Sequence, residues 1–182
     1  MVQRKARQSA GFSLLETMIA LLVLMVGILG LAAMLGDSLS YMQGSQEDFI
    51  AQQKAEQAVE AIFTAKYTGS VTWAQVANLS GGNPTGLFLP GALPLTIPGT
   101  DGLVGTAADV AAAPDFILEP GPDGKLGTAD DVQVPLSNFT RTITITPYVG
   151  DANLRNINVT VKYSTGRFQR SYTINTLISA FD

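Results

Sequence analysis

The sequence predicts an α+β protein, with one long N-terminal helix packed on a small antiparallel sheet. Three observations carry that prediction. Thr17 to Gly36 holds no ionisable side chain. Asp37 to Lys66 continues without proline and with one glycine, Gly44. From Asn138 onward, polar and apolar residues alternate with the period of a half-buried strand.

Residues 1–11 form a short leader whose charges, Arg4, Lys5 and Arg7, are all positive. Residues 12–36 are long enough to cross a bilayer as one helix, which takes roughly 20 residues. Their only ionisable group is Glu16. A carboxylate at the bilayer centre costs about 2.5–3.5 kcal/mol, but Glu16 lies near the Gly11-Phe12 junction, where the interface softens that cost. Glu16 therefore either reaches water or meets a positive partner. No basic residue appears again until Lys54. The N-terminus is thus expected on the cytoplasmic side, with everything after Gly36 across the membrane.

Residues 37–66 are an amphipathic continuation of the helix. Leu39, Met42, Phe49, Val59, Ile62 and Phe63 approximate one face, with Ala51, Ala55 and Ala58 between them. Glu47, Asp48, Lys54, Glu56 and Glu60 mostly take the other. From Phe12 to Lys66 the rod is about 80 Å long by helical rise. Its apolar stripe is read as core packing, not as a ligand face.

Residues 67–137 are a loop-rich αβ region in which loops with short strands are expected. Tyr67-Thr68-Gly69-Ser70 ends the rod, Val71–Leu79 makes a short helix or strand, and residues 80–137 hold most of the prolines. This region holds an internal repeat: Pro98–Val110 aligns without gaps to Pro120–Val132, identical at nine of thirteen positions. Asp123, Asp130 and Asp131 enrich the second copy in acid, while the first has Ala108 where the second has Asp130. With Gly124 and Gly127 turning the backbone, the three aspartates are candidate ligands for calcium, a hard ion that prefers oxygen. Residues 138–182 form a three-stranded meander. Ile143, Ile145, Ile157, Val159, Val161 and Ile174 face the helix, and turns fall at Gly150–Asn153 and Ser164–Gly166.

Composition removes several functions. The chain has no His and no Cys, so Ser–His and Cys–His nucleophiles and the usual zinc sites cannot be built. It is read as a non-enzyme. Without the leader, 8 basic residues face 15 acids, a balance of −7 that gives nucleic acid no footprint.

Gly11-Phe12-Ser13-Leu14-Leu15-Glu16, after a basic leader, resembles the class III signal of type IV prepilins. The run through Ala32 is similar to PilV-type minor pilins. The resemblance implies a peptidase that cuts between Gly11 and Phe12 and methylates Phe12. It also implies a pairing of Glu16 with the Phe12 amine of a neighbouring subunit. A secretory signal peptide would have a shorter core without an acid, and a plain anchor would not explain the register of glycine, phenylalanine and glutamate. The implied partners are the prepilin peptidase/methyltransferase, the inner membrane and other pilins or pseudopilins. The implied fold is the pilin-like α+β arrangement. Gly27 and Gly30, each weakening a helix by roughly 1 kcal/mol relative to alanine, are either where the rod can unwind in a filament or glycines that a membrane helix simply tolerates. The missing cysteines exclude the disulfide loop of many major pilins. Three roles stay open: a PilV-like minor pilin of a type IV pilus, a minor pseudopilin of type II secretion, or a pilus-tip adhesin or DNA-uptake pilin. The Asp123–Asp131 loop is similar to pseudopilin calcium loops, but it precedes the strands instead of lying near the C-terminus.

Overall fold

The computed structural model describes residues 13–165 and 168–181. One helix, α1, runs unbroken from Leu14 to Tyr67 and contributes to two compact units, residues 1–42 and 43–182. It passes through Gly27 and Gly30 without interruption. Helix α1 ends where Gly69 takes φ +72, a conformation glycine adopts without steric cost.

In the second unit α1 buries Ile50, Ala51, Ala55, Ala58, Ile62 and Ala65, spaced as one helical face. Val59 and Phe63 pack at its margin. The alanines let the sheet approach the helix closely. Three residues of the predicted stripe lie elsewhere. Phe49 is 58% exposed, because the packed face passes through its neighbour Ile50, about 100° further round the helix. Leu39 and Met42 belong to the first unit and are exposed too.

The main sheet has the order β1-β4-β5-β6, all antiparallel, with β1 at Leu93–Pro94, β4 at Phe139–Tyr148, β5 at Asp151–Thr165 and β6 at Phe168–Ser179. The last three are the predicted meander. Ile143, Ile145, Ile157, Val159 and Val161 are buried on its inner side, and Ile174 packs partly against the core. The β4–β5 turn falls at Val149–Gly150, earlier than predicted, since Gly150 takes φ +104 and Asp151 already pairs with Tyr148. Strand β1, two residues paired with Thr140 and Arg141, is one short strand within the loop-rich region. Beyond it the Asn78 side chain continues the ladder, donating to the Ile143 carbonyl at 2.8 Å and accepting from the Ile145 amide at 2.7 Å. A separate hairpin pairs β2, Phe116–Glu119, with β3, Val132–Pro135.

Val71–Leu79 contains one 3-10 turn, Trp73–Gln75. The Arg155 guanidinium stacks 4.2 Å from the Trp73 ring and donates to the Trp73 and Val76 carbonyls, closing that turn. Two residues expected on the open helix face are also engaged. Asp48 accepts from Tyr163 and from Arg170, and Lys54 Nζ lies 2.7 Å from Asp115 Oδ2. Arg141 sits on the inner face of β4 between Phe139 and Ile143, only 3% exposed. Burial lowers its pKa, and the charges of Asp109 and Asp115 oppose that shift. Lys54, Asp115, Arg141 and Asp109 thus bring two positive and two negative charges under cover, a neutral set that links helix, loops and sheet.

Candidate functional site

The first turn of α1 is built by its own sequence. Ser13 Oγ accepts the Glu16 amide at 3.2 Å, which makes Ser13 the N-cap and places Glu16 at N3. Ser-x-x-Glu is the signature of a capping box, and the carboxylate stands at the positive end of the helix dipole. Ser13 is the site residue that sequence reasoning passed over, and that four-residue pattern was the signal for it. Behind the cap, the large apolar side chains from Leu14 to Leu35 are each more than half exposed, on every side of the helix. The helix is long and apolar enough to cross a membrane. Such an all-round apolar surface suits lipid or neighbouring helices, not water. Gly27 and Gly30 have no heavy atom near the position a Cβ would take.

Residues 6–32 match the family model of the prokaryotic N-terminal methylation motif. The methylation motif is a type IV pilin-like signal, and it covers the end of the leader from residue 6, the cap, Glu16 and both helix glycines. Gly11 and Phe12, the expected processing positions, lie outside the described residues but inside the matched segment. The long apolar helix that carries the motif is consistent with membrane anchoring. No curated protein and no solved structure gives a significant match to the chain.

The repeats form a second candidate region, and their backbones agree. Gly102 and Gly124 take φ +72 and +69, and Gly105 and Gly127 take +79 and +89. Three hydrogen bonds recur. The Leu103 amide donates to Asp101 at 3.0 Å, and Lys125 to Asp123 at 2.8 Å. Gly105 donates to Asp109 as Gly127 does to Asp131. Thr106 and Thr128 donate their hydroxyls toward Asp101 and Asp123. The first copy is built into the head, while the second is the exposed loop between β2 and β3.

The structure brings Asp123, Asp130 and Asp131 together around the Thr128 hydroxyl, which lies 2.7 Å from Asp130 Oδ1 and 3.4 Å from an oxygen of each of the others. The Thr128 hydroxyl and the Asp123 amide hold the Asp130 carboxyl below its ordinary range. Among the described residues, no group of three or more His, Cys, Asp or Glu is placed to hold a metal ion. The three carboxylates are spent on donors of the loop itself.

Proposed function

We propose that this chain is a structural, non-catalytic subunit of a type IV pilus, a PilV-like minor pilin cut by prepilin peptidase between Gly11 and Phe12. In that reading the leader stays cytoplasmic and residues 12–36 wait in the inner membrane. The apolar surface of α1 then passes from lipid into the filament core, where Glu16 meets the methylated Phe12 amine of a neighbouring subunit. The observation that carries the reading is the methylation motif running into a capped helix whose segment 14–35 has its large apolar side chains unburied all round and holds one acid, Glu16, in the first turn. Mass spectrometry of the mature chain tests it. The expected N-terminus is N-methyl-Phe12, in protein recovered from sheared pili. A chain that still begins at Met1 rejects the reading. Recovery with a type II secretion filament instead would move the same processing and assembly steps to the pseudopilin role.

Calcium at Asp123, Asp130 and Asp131 is a separate proposal. It rests on Asp130, the acid that distinguishes the second repeat from the first, and it requires the Thr128 hydroxyl to yield its place. Calorimetry with calcium chloride on the detergent-solubilised chain is expected to show a heat that Asp130→Ala removes. No heat at millimolar calcium rejects the site.

A further inference from the structure

The two repeats share a backbone but differ in what receives their tips. In the first copy, the residues after the first positive-φ glycine are Leu103 and Val104, 1% and 2% exposed in the core of the head. Gly105, next in line, lies so close to Ile143 that an added Cβ would stand 2.8 Å from its Cδ1. Asp109, which closes the loop, feels the buried guanidinium of Arg141. The head therefore offers its own first repeat two things, an apolar recess for the tip and a cation facing the closing aspartate.

The second copy repeats the donor half of that arrangement without a receiver. Lys125 and Leu126 occupy the tip, and Leu126 is 62% exposed. Asp131, the counterpart of the buried Asp109, is only half-buried. Among the described residues it forms no ion pair. A large apolar side chain held outward by a closed, internally hydrogen-bonded loop loses little conformational freedom on docking, which favours association. We propose that the second repeat is a docking knob for another protein. Leu126 enters an apolar recess on that partner, beside an arginine or lysine that faces Asp131. The partner is not a second copy of this chain, because the matching recess there is filled by its own Leu103 and Val104. Its chemistry is set by what the first repeat already finds within this head, an apolar recess and a cation near the closing aspartate.

The test places a photo-reactive benzophenone amino acid at Leu126 of the full-length chain in cells of its native host. A second probe, at Leu21 in the apolar part of α1, reads filament packing separately. The expected result is one discrete adduct from position 126, with the linked segment of the partner containing arginine or lysine. Asp131→Asn should reduce that adduct about tenfold. Asparagine still accepts the Gly127 amide, so the loop closes and only the charge is removed. Asp151→Asn, which removes an exposed charge of the head outside the loop, should leave the adduct unchanged. Absence of an adduct at 126, indifference to Asp131→Asn, or equal loss with Asp151→Asn overturns the proposal. Loss of adducts from Leu21 alone counts against the filament reading and leaves the knob standing.

Discussion

Glu16→Gln is expected to lower the amount of this chain recovered in sheared filaments by about 100-fold, while leaving it processed and held in the membrane. The reason lies in what each environment asks of the side chain. In the bilayer the carboxylate is a burden of about 2.5–3.5 kcal/mol at most, eased by its position in the first turn, so glutamine anchors at least as well. In the proposed filament the same carboxylate neutralises an amine from which water has been excluded. Removing one partner of such a pair strands the other, at about 3–5 kcal/mol, which corresponds to two or more powers of ten. Glutamine also keeps the length of the side chain and leaves the Ser13 cap in place, so a defect in helix initiation cannot imitate the result. Immunoblotting of filament and membrane fractions, with mass spectrometry of the N-terminus, separates assembly from processing. Equal incorporation of the glutamine variant would end the idea that Glu16 pairs across subunits.

Residues whose role is fixed by their immediate neighbours were legible in the sequence. The charge-free run, the meander strands and the glycine ending α1 are local matters of period and backbone freedom, and all appear where read. The repeat was also legible, because nine identities in thirteen demand one backbone. What could not be read was which copy would be covered. That depends on Ile143 and Arg141, residues of a strand some thirty positions away from the first copy. The helix stripe failed for a related reason. Phe49 is the larger apolar side chain, but the sheet needs a flat face, and Ile50 with its following alanines supplies one. Lys54 looked like a solvent residue because its partner, Asp115, lies in the irregular segment where sequence period gives no guidance. At the candidate site, Glu16 was legible from the absence of any other charge near it. The convergence of three aspartates on Thr128 needed the folded loop.

Asp115→Ala should be the most damaging single change to the head, at about 3–5 kcal/mol. Asp115 is a buried acid whose Oδ2 meets Lys54 Nζ at 2.7 Å and whose charge helps hold Arg141 ionised. Its Oδ1 accepts the Phe116 amide at 2.9 Å, fixing the start of β2. Alanine leaves two cations under cover against Asp109 alone, and it frees the loop that ties α1 to the hairpin. Arg141→Met, in the same network, is expected to cost no more than about 1–2 kcal/mol. Among the described residues, the Arg141 Nε is buried without a hydrogen-bond partner. After its removal Asp115 keeps Lys54, and Asp109 keeps the Gly99 and Gly105 amides. Methionine returns much of the lost volume. Thermal unfolding of the solubilised chain, followed by near-ultraviolet circular dichroism of the single tryptophan, Trp73, reads both variants. A fall in Tm of about 10 °C for Asp115→Ala is the expected scale for a unit of this size, with a much smaller fall for Arg141→Met. The reverse ranking would mean that the guanidinium, not the carboxylate, joins helix and sheet in this head.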